Sequence, residues 1–341
     1  MEIGRGWIGL VLAAAAVLAV PATMATMVFV PVAAPGGVAN PADTDPAGYG
    51  SVGYDYQIGK FEVTAGEYRD FLNAVDPTGA NPNGIYNSNM DSDSTGCQIT
   101  LVPGNPNGSK YDFSGRPSGN ESDWVNRPVN YVSWYDAARF TNWMTTGNTE
   151  TGVYTFQGGV FQDPPIGHQA AATTYGTAYF IPTEDEWYKA AYYSGAGTTY
   201  YDYPTRTDTA PSSALGTPTD PGNNATFYSG GYTIGSPYYR TEVGAHENSE
   251  SPFLTFDQGG NVWEWNETVI SGASRGMRGG AFNQGPDIFL RADYRYYYDV
   301  PTHEYYYFGF RVASIGIVPE PASALVLVLA AGFLSVRRRR G

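Results

Sequence analysis

The stretch DQGGNVWEWNET, residues Asp257 to Thr268, places two tryptophans on either side of a glutamate and behind two glycines. Gly259 and Gly260 permit a turn with positive φ, which few other residues adopt cheaply. A strand beyond that turn would put Asn261, Trp263 and Trp265 on one face and Val262, Glu264 and Asn266 on the other. The block could floor an active site, hold a metal or fill a core. Rings this large are more often core than ligand platform, so Trp263 and Trp265 are expected inside. Glu264, if buried, needs either a cation or an arginine such as Arg311.

Three helices are expected around the block. Thr64 with Glu67, Ser133 with Asp136 and Thr183 with Glu186 each read as an N-terminal capping arrangement before an apolar stripe. Short alternating runs predict strands at Val28–Val32, Tyr56–Val63, Val262–Trp265, Met277–Phe282 and Gly309–Ala313. Long segments rich in Gly, Asn and Pro separate them, notably Pro77–Asn126 and Thr198–Asn224. Aromatic residues make up 15% of the chain, enough to fill space between irregular segments. The expected class is α+β, loop-rich, with little regular secondary structure.

The ends read as sorting signals. Arg5 precedes the apolar run Trp7–Val20, and small residues near Ala25 suit a signal peptidase, so residues 1–25 are expected to be a signal peptide. Val318-Pro319-Glu320-Pro321, the apolar run Ala322–Val336 and Arg337–Arg340 resemble a PEP-CTERM sorting signal over residues 318–341. That resemblance implies a short transmembrane helix, an exosortase-type processing enzyme as partner, and transient anchoring before delivery to the envelope or surface of a Gram-negative bacterium. Between the ends, the domain 27–315 sets 14 basic against 31 acidic side chains. Nucleic acid is not an expected partner, because phosphate binding needs a basic footprint. Cys97 is the sole cysteine, so no intrachain disulfide can form, and its polar surroundings in sequence suggest no role beyond possible dimerisation. No GxGxxG follows a strand and no GxSxG occurs.

Five blocks, in order, resemble the sulfatase-modifying factor family, founded on the formylglycine-generating enzyme. They are YQIGKFEVTAGEYRDFLNAV, RPVNYVSWYDAARFTNWM, YFIPTEDEWYKAAYY, GGNVWEWNET, and RGGAFNQGPDIFLRADYR with FGFRV. The resemblance implies the formylglycine-generating-enzyme fold, which is C-type-lectin-like. It also implies a copper-dependent oxidation by two cysteines just after the glycine pair. Here that segment, Arg278 to Arg295, has no cysteine, and Ala281 stands where a serine is usual. Copper(I) wants soft thiolates, so no copper is expected. Iron-dependent relatives need three histidines, whereas His168, His246 and His303 lie far apart, and each is expected to be a surface or capping residue.

By resemblance, structural calcium would be held by Asp257 and Glu264 with the carbonyls of Gly260 and Val262. A second site would use Asn224 and the carbonyl of Ala225, but its acid is replaced near Ser236. The remnant of the catalytic pocket would be lined by Trp263, Gly280, Ala281, Phe282 and Asn283. The expected function is therefore an exported, calcium-stabilised binding module for exopolysaccharide or a surface protein. The alternative is a diverged oxidoreductase of the same family with an unknown substrate.

Overall fold

The computed structural model describes residues 27–33, 48–216, 220–296 and 299–316. The expected signal peptide and sorting tail lie outside them, and among the described residues no helix is long and apolar enough to cross a membrane.

Among the described residues, eleven strands and six α-helices are spread thinly, with a 3-10 turn at Asp287–Leu290. The strands are β1 (Phe29–Val32), β2 (Tyr56–Gly59), β3 (Thr100–Leu101), β4 (Tyr111–Asp112), β5 (Thr155–Gln157), β6 (Val160–Gln162), β7 (Thr177–Phe180), β8 (Trp263–Ser271), β9 (Ser274–Arg278), β10 (Phe308–Gly309) and β11 (Ala313–Gly316). The helices are α1 (Ala65–Val75), α2 (Asn89–Ser92), α3 (Ser122–Val125), α4 (Trp134–Thr146), α5 (His168–Tyr175) and α6 (Glu184–Tyr192). One antiparallel sheet has the order β1-β2-β11-β7, and a second has β10-β8-β9 with β10 parallel to β8.

All three expected capping arrangements form in full. Thr64, Ser133 and Thr183 each accept from the backbone three residues on, and Glu67, Asp136 and Glu186 each return the bond. The helices start where they do because these pairs satisfy amides that no helical turn can reach. The core packs α1 and α4 against both sheets through Tyr68, Phe71, Phe140, Trp265, Phe308 and Phe310, all buried. Long loops become tolerable because buried arginines and amides collect their carbonyls. Arg240 donates to Thr95 and Gly96, and Asn142 donates to Thr149 and Tyr154.

The expected strands need trimming. The run Met277–Phe282 ends at Arg278, because Gly279 and Gly280 turn with φ of 103° and 77°. A side chain at Gly279 would lie 2.7 Å from the Gln258 carbonyl, so this bend is specific to glycine. Tyr56–Val63 is a strand only to Gly59. Gly309–Ala313 is split, because β10 belongs to the second sheet and β11 to the first. The chain changes sheet across Phe310–Val312, with Arg311 in the middle. The segment Pro77–Asn126 is not a bare loop, since it contains α2, β3, β4 and α3.

Gly260 and Gly147 give a graded test of the turn geometry. Gly260 has φ of 100°, and an added methyl would sit 2.3 Å from the Thr226 carbonyl oxygen. Gly147 caps α4 at φ of 76° with open space around it. Gly147→Ala should cost about 1 to 2 kcal/mol in urea unfolding, the left-handed penalty alone. Gly260→Ala should cost clearly more, or yield no folded protein.

Candidate functional site

Glu264 lies at the start of β8, wholly buried. Its Oε2 accepts from Arg311 Nε at 2.5 Å and from Trp187 Nε1 at 2.6 Å, while its Oε1 accepts from Arg311 Nη2 at 2.5 Å. The remaining guanidinium bonds go to the Gly59 and Phe256 carbonyls at 3.0 and 2.9 Å. Burial opposes charge on Arg311, but Glu264 beside it raises its pKa above the ordinary value. Of the two partners the sequence leaves open for Glu264, the described residues supply the arginine. Both oxygens of Glu264 are taken, and a guanidinium stands where a second cation would sit. Glu264 therefore does not fit a calcium set with Asp257, Gly260 and Val262. Among the described residues no three acidic, histidine or cysteine side chains converge in a metal-holding group.

Asp257 turns elsewhere. Its Oδ2 accepts from the Gly244 amide at 2.6 Å, and burial pushes its carboxyl up to about 6. It lines an enclosed chamber of about 10 Å³ with Asn224, His246, Ser249, Thr255 and Gln258. The structure thus brings Asp257 and Asn224, one residue from each expected calcium site, to a single cavity the size of one water. His246 Nε2 meets Thr226 Oγ1 at 3.0 Å, and its Nδ1 is buried without a protein partner. The Ala225 carbonyl instead accepts from Thr233 Oγ1 at 3.5 Å.

The pocket expected beside Gly280 is filled. Trp263, Gly280, Ala281 and Phe282 are all buried. Phe289, Tyr294 and Tyr296 pack around the Trp263 ring with centroids 5.2 to 6.2 Å away. Trp263 Nε1 donates to Gln284 Oε1 at 2.7 Å, and the position a Gly280 side chain would take is 2.7 Å from Leu290. Asn283 is partly exposed and donates to the Tyr306 hydroxyl at 3.1 Å. The segment after the glycine pair therefore has neither thiols nor room. The other arginines of this region are ties. Arg278 holds Glu184 and the Ala292 and Tyr294 carbonyls, Arg295 also reaches Glu184, and Arg291 pairs with Asp293.

Sequence reasoning misplaced several titratable groups. His168 and His246 are buried rather than on the surface, and only His303, against Asp299, is partly exposed. His168 stacks on Phe180 at 3.6 Å and stands between Glu186 at 3.2 Å and Glu267 at 3.0 Å. Burial opposes its charge, but the two carboxylates outweigh it and raise its pKa to about 10. Cys97 is fully buried, which raises its thiol pKa and removes it from any intermolecular disulfide. Glu62 is buried with both oxygens unpartnered, and burial with Asp257 and Glu264 nearby pushes its pKa well up. Spacing in the sequence marks none of these, because their partners are 18 to 200 positions away.

The fold is that of a formylglycine-generating-enzyme domain, and aromatic side chains pack the segment after its glycine pair. The chain belongs to the family of the sulfatase-modifying factor enzyme 1-like domain, whose profile matches residues 15–315. The solved structure of CarF is 19% identical with a TM-score of 0.50, covering 84% of this chain and 97% of its own. Variable protein 1 of Treponema denticola is 20% identical, with a TM-score of 0.49 over 84% and 94%. PvdO from Pseudomonas aeruginosa is 17% identical, with a TM-score of 0.45 over 84% and 93%. At 19% identity the likeness to CarF shows the fold alone. Among curated proteins, none matches.

Arg311→Met should destabilise the domain by about 3 to 5 kcal/mol, since it strands a buried carboxylate. Adding Glu264→Gln should recover part of that loss, and denaturant unfolding of the four proteins of the cycle reads the coupling. His168 gives a pH test. Its folded pKa of about 10 lies above the ordinary 6.5, so its stabilisation is complete below 6.5 and fades as pH rises through 10. His168→Gln should remove that part of the stability slope between pH 7 and 10, measured as the difference from the unaltered protein.

Proposed function

We propose that this chain is a non-catalytic member of its family, a binding module exported to the cell envelope. The observation that carries the reading is the segment Arg278–Arg295. It has no cysteine, and aromatic side chains occupy the space beside Gly280. Copper chemistry needs thiolates that this segment does not supply. Every element that shapes the scaffold is nonetheless intact, including the capped helices and the Glu264–Arg311 pair. A scaffold kept whole around a filled site suits presentation of a surface better than turnover. The signal-like start, the sorting-like end and processing by an exosortase-type enzyme belong to the same reading. Its ligand would be exopolysaccharide or a surface protein.

Calcium keeps a place in this proposal at the enclosed chamber rather than at Glu264. Asn224 and Asp257 would hold it, with hydroxyl and amide oxygens of Ser249, Thr255 and Gln258 around them. One carboxylate among neutral oxygens suits the weak end of calcium affinity, as in extracellular modules. The orphaned His246 Nδ1 asks for a partner in that chamber.

Two measurements test the reading. Purified domain incubated with thiol peptides and copper should consume no oxygen above buffer, and sustained uptake would refute the non-catalytic reading. Millimolar calcium should raise the Tm relative to chelator, and Asp257→Asn should abolish the rise, because a ligand bound only to the native state stabilises it. An unchanged Tm removes calcium and leaves the binding reading standing.

A further inference from the structure

Around the closed pocket lies a row of aromatic rings that the core does not use up. Tyr228 and Tyr232 have centroids 5.3 Å apart at 78°, and Tyr232 and Tyr239 are 5.2 Å apart at 80°. Phe282 continues the row, 6.0 Å from Tyr239, and Tyr306 lies 6.1 Å beyond it. Tyr228 and Tyr232 are 40% and 46% exposed, and Tyr239 and Tyr306 are partly exposed. Three separate segments build the row: the loop YSGGYTIGSPYY at 228–239, the residues after the glycine pair, and the tyrosine run at 305–307. The first is held to the second by the Tyr228 amide, which donates to the Gln284 carbonyl at 3.1 Å, and the second to the third by Asn283.

Two features say what such a row can hold. Residues 228–239, 281–286 and 305–307 contain no charged side chain, in a chain of net charge −14. A polyanion would be repelled, and a polycation would find no partner in the row. The near-right angles of Tyr232 to Tyr228 and to Tyr239 also matter. One ring of a pair offers its negative π face while the next offers its edge and hydroxyl. A sugar ring has the matching chemistry, with a C–H face for the first and hydroxyls around its rim for the second. Protein partners are usually anchored by Trp or Arg hot spots, and the row contains neither residue.

We propose that the exposed and partly exposed rings of Tyr228, Tyr232, Tyr239 and Tyr306, gathered around the buried Phe282, are the ligand face of this module and bind a neutral polysaccharide. This rests on the binding-module reading and adds the place and the class of ligand.

The test is affinity electrophoresis of the domain in gels containing hydroxyethylcellulose, dextran or galactomannan, beside alginate. At least one neutral polymer should retard the protein, with little change between low and high salt, because no ion pair is involved. Tyr228→Ala with Tyr232→Ala should weaken retardation at least about tenfold, a loss of about 1.4 kcal/mol. Tyr175→Ala, an exposed tyrosine elsewhere on α5, should leave it unchanged. If the alanine pair lowers the Tm, the phenylalanine pair at the same positions removes only the hydroxyls and should still weaken binding. Retardation by alginate alone, by none of the neutral polymers, or undiminished in both tyrosine pairs overturns the inference. Capture of a peptide from an array through the same face overturns the glycan assignment but leaves the binding-module reading intact. Oxygen uptake with thiol peptides would overturn that reading itself.

Discussion

The ion pair between Glu264 and Arg311 is the constraint around which this domain is arranged. Two charges with no exposure to water are costly unless every donor and acceptor is used. Here they nearly all are: Trp187 completes the carboxylate, and the Gly59 and Phe256 carbonyls complete the guanidinium. The pair also stands where the chain passes from one sheet to the other, between β10 and β11. It fixes β8 of one sheet to the end of β2 in the other, and α6 to both through Trp187. The tryptophan block of the sequence is the seam of the fold, and its glutamate fastens it.

Around that seam the domain solves a difficult problem, that of ordering long irregular segments. Backbone groups in a loop must be satisfied as fully as those in a sheet once they are buried. Buried arginines and asparagines do this work at several places, each collecting two or three carbonyls. Aromatic stacking fills the volume that regular elements leave. The same economy closes the position beside Gly280, where Phe289, Leu290, Tyr294 and Tyr296 take up space that a substrate would need.

Much of this was legible in the sequence where the cause is local. The capping residues Thr64, Ser133 and Thr183 announce their helices because the partner lies three positions away. Trp263 and Trp265 announce a core because few surfaces accommodate such rings. The absence of cysteine after Gly280 is a plain reading of letters. What was not legible depends on distant partners. The choice between calcium and Arg311 at Glu264 is 47 positions wide. His168 reads as a surface histidine until Glu186 and Glu267 are brought to its two nitrogens. The end of the strand at Arg278 needed the Gln258 carbonyl, pressed close to Gly279, to be known.

The central place of β11 has a mechanical meaning. It is hydrogen-bonded on one side to β2 and on the other to β7. Tension applied to the chain beyond Gly316 runs along the strand, so it loads both ladders in shear, with many bonds sharing the force at once. A strand at the edge would peel away one bond at a time. The sheet is therefore strongest along the path by which the chain leaves the domain. A module held from that side would carry load through its own core.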